Sequence, residues 1–121
     1  MKVMLTWEDA ERYVHEVCER FKNSNLPGVY GIPRGGLILA VMISHSAGIP
    51  LLMAPAPGCL IVDDICDTGE SLVHYVKNSS AIEKPKYFTS TMIYRDGAIV
   101  TPNYYWGKKN DDWIVFPWEG E

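Results

Sequence analysis

CLIVDDICDTGES, residues 59–71, carries four acids within its last nine positions. A largely apolar run leads into two adjacent acids, Asp63 and Asp64. A third, Asp67, follows, and Thr68, Gly69, Glu70 and Ser71 close the stretch. A short continuous apolar run bounded by turn residues suits a strand buried on both faces, as in parallel sheets. The glycine and hydroxyl residues after it suit a turn into a helix, expected over about 71–77. The strand thus delivers Asp63 and Asp64 to its carboxyl end. Carboxylates this close repel one another unless something cationic or hydroxyl-rich sits among them.

On either side of this stretch the same alternation recurs. Thr6 and Asp9 have the spacing of a capping box, with Asp in place of the stronger Glu. Trp7, Ala10, Tyr13, Val14, Val17, Cys18 and Phe21 then recur at helical spacing, up to NSNLPG. GVYGI (28–32) reads as a strand that PRGG interrupts. LILAVMISHSAG (37–48) reads as a buried helix closed by Gly48. IPLLMA (49–54) reads as a second strand, PAPG (55–58) as a tight connection and CLIV as the third strand. Downstream, KYFTSTMIY (86–94) reads as a further strand before a tail rich in tyrosine and tryptophan. Strands alternating with helices indicate an α/β fold whose mostly parallel sheet is covered on both faces. With no internal repeat or linker, residues 1–121 are expected to form one domain. Ligands of such sheets bind at the carboxyl ends of strands. PRGG and DDICDTGES both begin there.

Composition narrows the partners. A net charge of −4 over 121 residues gives no general attraction to nucleic acid or to an anionic membrane, so any phosphate site must be built locally. Neither nucleic acid nor a membrane is expected as a partner. Cys18, Cys59 and Cys66 lack the spacing of a zinc site or a disulfide framework and read as reduced thiols. The opening MKVMLTWEDAERY turns charged too early for a signal peptide, and no apolar run approaches a membrane span. A cytoplasmic location is expected.

A helix N-terminus with glycine and hydroxyl side chains is a cradle for phosphate, and adjacent carboxylates suit vicinal sugar hydroxyls or a hydrated Mg²⁺. Residues 63–71 therefore match a sugar phosphate bearing free hydroxyls, against the plainer reading of a helix cap with solvated acids. Asp-Thr-Gly also occurs in aspartic proteases, but those sites sit in all-β folds and Glu70 follows here. GIPRGGL (31–37) offers two glycines for close backbone approach and Arg34 for gripping an anion, or a simple tight turn. Two such cradles on neighbouring strand ends, with carboxylates between them, are more specific than either alone.

At this point the sequence resembles the type I phosphoribosyltransferases. CLIVDDICDTGES is similar to their phosphoribosyl pyrophosphate signature, and GIPRGGL resembles the pyrophosphate loop that precedes it. DDWIVFPWE (111–119), MIYRDG (92–97) and LTWEDAERYV (5–14) resemble the bacterial xanthine–guanine group. The resemblance implies a Rossmann-like fold with a small C-terminal hood, about residues 103–121. It implies transfer of a phosphoribosyl group from 5-phosphoribosyl 1-pyrophosphate to a 6-oxopurine, with Mg²⁺, in a homodimer or homotetramer. Asp63 and Asp64 would bind the ribose hydroxyls and organise the metal, and Asp67 would sit near purine N7. Thr68, Gly69, Glu70 and Ser71 would hold the 5′-phosphate. Arg34, Gly35 and Gly36 would hold pyrophosphate, beside a Pro33–Arg34 peptide that is cis in relatives. Arg95 would contact the 6-oxo group, Trp113 would stack on the base and the Ile114 backbone would read its edge. Taken alone, Trp113 also reads as a core or rim tryptophan and Arg95 as a solvated strand end. Relatives carry a long flexible loop where this chain has only MAPAPG (53–58). That departure keeps a second class open: a phosphoribosyltransferase-like protein that binds nucleotide or donor with little or no turnover.

Overall fold

The computed structural model describes residues 1–79 and 86–120. Positions 80–85 of the expected domain, and Glu121 at the end of the expected hood, lie outside them. The elements run β1 (Lys2–Met4), α1 (Trp7–Phe21), β2 (Val29–Gly31), α2 (Gly35–Ala47), β3 (Leu60–Cys66), α3 (Glu70–Ser79), β4 (Phe88–Arg95), β5 (Tyr104–Lys109) and β6 (Trp113–Val115). The main sheet has the order β2-β3-β4-β5, every pair parallel. β1 and β6 form a separate parallel pair, with Val3 opposite Ile114. Among the described residues no helix is long and apolar enough to cross a membrane.

Local chemistry sets the helix ends. Thr6 accepts from the Asp9 amide at 3.0 Å while the Asp9 carboxylate accepts from the Thr6 amide at 2.9 Å, so the capping box forms with aspartate. α2 stops at Gly48, whose φ of 68° a residue with a β-carbon adopts reluctantly. α1 and α2 cover one face of the sheet through a core that includes Tyr13, Val17, Leu39, Ile43, Val62 and Met92. α3 covers the other face through Leu72, against Cys59 and Ile61. Tyr13, fully buried, shares a 2.7 Å hydrogen bond with Ser90 in the middle of β4, which satisfies both hydroxyls inside the core.

The structure corrects the strand expected over 49–54. Only Leu51 pairs, in a single parallel bridge to Val29, with Leu52 N donating to Val29 O at 2.8 Å. Pro50 brings no amide to this edge, and the connection through Pro55 and Pro57 turns away at once. That one bridge still fixes the winding. Val29 pairs with Leu51 on one side and Leu60 on the other, so α2 carries the chain outward past β2. The chain then returns to β3, and α3 carries it the opposite way to β4. Winding reverses between β2 and β3, and a crevice forms at their carboxyl ends. The tail divides: β5 is the outer strand of the main sheet, and β6 pairs with β1 from the other end of the chain.

Candidate functional site

At the reversal, a cleft of about 300 Å³ is lined by Pro33, Arg34 and Gly35 from the turn after β2 and by residues 63–72 from the end of β3 and the start of α3. A larger cavity of about 360 Å³ lies between α1 and α2 near Leu60, the first residue of β3. It holds no paired carboxylates and no glycine cradle, and Glu19 there is already paired with Lys22 at 3.0 Å. The chemistry is at the opposite end of the strands.

β3 runs on through the acids, as LIVDDIC, so Asp63 and Asp64 are strand residues and not loop residues. Each carboxylate folds back on the next amide: Asp63 Oδ1 accepts from Asp64 N, and Asp64 Oδ1 from Ile65 N, both at 2.8 Å. Asp63 is only 9% exposed. Burial first, then the charge of Asp64, pushes its carboxyl well above the usual carboxylate range. Burial raises Asp64 as well, and the Glu119 carboxylate of the tail adds to that. Burial, followed by the charges of Asp63 and Asp67, pushes the Cys66 thiol up to about 11, which keeps it protonated and a poor nucleophile.

The glycines show how tightly the first turn sits on these acids. A β-carbon on Gly35 would lie 2.0 Å from Asp64 Oδ2, and one on Gly36 would lie 2.4 Å from Val62 O. Gly35 therefore faces the carboxylate, while Gly36 is buried against the β3 backbone and does not line the cleft. The Pro33–Arg34 peptide is cis. Arg34 is exposed at the cleft mouth.

In the second turn Thr68 Oγ1 accepts from Glu70 N at 3.2 Å and Gly69 O accepts from Val73 N at 2.8 Å, which starts α3. The first amides of a helix have no carbonyl partner within it, so they face an incoming anion. Gly69 has φ 92°, and a β-carbon there would meet Ile99 Cγ1 at 2.9 Å. Ile99 N also donates to Thr68 O at 2.8 Å. Ile99 and Glu119 escaped the sequence reading because their roles arise from distant segments laid against the site. Neither carries a local motif.

Arg95 ends β4, and its Nε donates to Asp67 Oδ1 at 2.5 Å. Its Nη1 donates to the Asn110 carbonyl and its Nη2 to the Asp112 carbonyl, the latter at 3.1 Å. Trp113 begins β6 with its side chain 69% exposed, and Ile114 is buried beside it. Thus the structure gathers Arg34, Gly35, Asp63, Asp64, Asp67, Thr68, Gly69, Glu70 and Ser71 around one cleft. Trp113 and Ile114 stand apart from its lining, joined to it through the contacts of Arg95.

Among the described residues no three His, Cys, Asp or Glu side chains converge to hold a metal. Asp63 and Asp64 are the pair that fits Mg²⁺, which is commonly bound through one or two carboxylates with substrate phosphates and water completing the shell. The arrangement offers anion donors on two sides, and carboxylates between them where a sugar ring and positive charge would sit.

No family model matches the chain. The chain is 23% identical to the xanthine-guanine phosphoribosyltransferase of Chromohalobacter salexigens over 95% of its own length and 82% of the relative's. Its fold is similar to the crystal structure of a purine phosphoribosyltransferase from Pyrococcus horikoshii, with TM-score 0.83 and 30% identity, covering 99% of this chain and 95% of that one. The Helicobacter pylori xanthine-guanine-hypoxanthine phosphoribosyltransferase has the same fold, with TM-score 0.80 and 18% identity over 98% and 93% of the two chains.

Proposed function

The chain belongs to the type I phosphoribosyltransferases and is a purine phosphoribosyltransferase, and from that premise we propose that it converts 6-oxopurines to their nucleoside monophosphates with Mg²⁺ accompanying the donor. The observation that supports this reading most is the Asp63–Asp64 pair, Asp63 buried and Asp64 half-buried, set between two anion cradles where the sheet reverses its winding. Thr68, Gly69, Ser71 and the Glu70 backbone take the 5′-phosphate at the start of α3. Asp63 and Asp64 accept from the ribose hydroxyls, and Arg34 with the backbone of Arg34 and Gly35 takes pyrophosphate, while Gly36, its amide given to the Ile32 carbonyl, lets the turn pack on β3. Trp113 and the Ile114 backbone receive the purine, with Arg95 on the side of its 6-oxo group.

The bond from C1 to the pyrophosphate oxygen breaks as purine N9 attacks C1, and positive charge grows on the ribose in between. Asp63 and Asp64 stabilise that charge from a partly dehydrated position, where an electrostatic interaction is stronger than in water. Asp67, just after β3, accepts the N7 proton that the purine loses as N9 bonds to C1. When bound, Mg²⁺ would be held by Asp63 and Asp64 and would neutralise charge on the departing pyrophosphate. A homodimer or homotetramer and a cytoplasmic location belong to the same proposal.

The test is spectrophotometric: enzyme, donor and Mg²⁺ with guanine, xanthine, hypoxanthine or adenine. Turnover with a 6-oxopurine and loss of it with a chelator are expected. Turnover with adenine alone would overturn the substrate class. No turnover with any base, beside clear donor binding by calorimetry, would restore the binding-protein reading, which the named relatives do not favour.

A further inference from the structure

We propose that Arg95 is a positioning residue that sets Asp67 and the purine platform with a single guanidinium. The inference rests on the reading above of Asp67 and of residues 113–114. Three nitrogens of Arg95 reach three acceptors on two separate segments: the Asp67 carboxylate after β3, and the Asn110 and Asp112 carbonyls in the turn between β5 and β6. A guanidinium is planar, carries five N–H donors in fixed directions and stays charged, so it can lock three acceptors into one geometry. A lysine ammonium, a point charge on a flexible stem, cannot hold both segments in the same register.

The turn matters because of where it leads. β5 lies in the main sheet and β6 in the other, so residues 110–112 are the bridge between the sheets. The Asp112 carbonyl belongs to the peptide whose amide is Trp113 N, and that amide donates to Met1 O at 2.8 Å. The path from Asp67 through Arg95 to the Trp113 peptide is therefore continuous. Asp67 itself is 57% exposed and Arg95 only 22%, so the arginine is the better-held partner and orients the carboxylate. With Nε, Nη1 and Nη2 each engaged once, one N–H remains on each terminal nitrogen. Contact with a purine oxygen through these would add to the positioning role without replacing it.

Wild type, Arg95→Lys, Arg95→Met, Asp67→Asn and the Arg95→Met/Asp67→Asn double variant are compared by steady-state kinetics, and the first three also by amide hydrogen exchange. Arg95→Met should raise KM for the base by roughly tenfold or more and lower kcat, with KM for the donor within about twofold of wild type. Arg95→Lys should recover only a small part of this. The double variant should lose little more than the worse single variant, because both changes break one device. Exchange at residues 110–113 should quicken in both arginine variants, a result that does not depend on turnover. Unchanged exchange there, losses that simply add, or full recovery by lysine would overturn the proposal. A wild type inactive with every purine would refute the transferase reading instead, and exchange at 110–113 would still decide whether Arg95 holds the turn.

Discussion

Replacing Gly35 by alanine separates the chemistry of the cleft from the stability of the fold. A β-carbon at this position would lie 2.0 Å from Asp64 Oδ2 and 2.5 Å from its Cγ, whereas ordinary contact begins at 3.4 Å. The carboxylate must retreat by more than an ångström. The Asp64 carboxylate is the end of a side chain and yields by rotating, at the expense of its hydrogen bond from Ile65 N, worth about 1 kcal/mol. Alanine at the first position of α2 returns part of that, since glycine is ~1 kcal/mol the poorer helix former in a helix interior. Stability should therefore stay within about 1 kcal/mol of wild type. Activity should not: misplacing a reacting group by an ångström can reduce turnover about 100-fold. Gly36→Ala is the control. There the β-carbon meets Val62 O at 2.4 Å and Asp63 Cα at 2.9 Å, backbone that cannot swing aside. It should unfold several degrees earlier, in line with overpacking of roughly 1–3 kcal/mol. Thermal melts and kcat/KM for the donor read both variants. Gly35→Ala with near-wild-type kcat/KM, or melting as early as Gly36→Ala, would refute the assignment of Gly35 to the site.

Two further outcomes follow from the acids and the tryptophan. Burial raises the carboxyls of Asp63 and Asp64 in the ligand-free native state above the value of about 4 in an unfolded chain, so their contribution to stability is fullest below that pH and falls as pH rises toward the elevated native value of Asp63, about 8. Melting temperature should therefore decline from acidic to alkaline pH and decline less in Asp63→Asn, while affinity for the donor with Mg²⁺ rises over the same window; identical pH slopes in the two proteins would contradict this. Trp113→Ala should leave the melting temperature nearly unchanged, because the side chain is already 69% exposed, yet raise KM for the base by roughly tenfold, a loss that Trp113→Phe should partly restore; an unchanged KM would remove Trp113 from the purine platform.

Periodicity was enough for α1, whereas α2 and β4 were legible as long apolar runs, the first closed by Gly48. Residues 59–71 were legible for another reason: a run such as LIV ending in acids and a glycine turn has few other homes than a strand entering a cradle. Two of the three-residue strands escaped. β1 and β6 have three residues each and exist through pairing with one another across the whole chain, which no local pattern encodes. β5 hid in a tyrosine-rich tail whose residues are half-buried along its length. IPLLMA failed in the opposite direction. Its apolar content is that of a strand, but an edge position with proline at its start leaves one bridge. The partners of Arg95 were beyond sequence reasoning, since they need the β5–β6 turn folded over the end of β4.

The shortened connection acquires a different meaning once its place is known. Gly58 N donates to Lys86 O at 2.7 Å and Cys59 N to Ala56 O at 3.0 Å, which fastens the connection beside the starts of β3 and β4. Roughly 13 Å of strand, at 3.3 Å per residue, separates Leu60 from Asp64. Ala56, Gly58 and Cys59 therefore sit at the opposite end of the strands from the acids, and none of residues 53–58 lines the cleft. Asp63 is nonetheless almost fully buried, and Gly35 lies directly on Asp64. The dehydration that strengthens these carboxylates against a cationic ribose is already built into β3 and the first turn of α2 before any ligand arrives. In this chain the local electrostatics of the acids are set by the scaffold, and closure of a long loop is not what creates them.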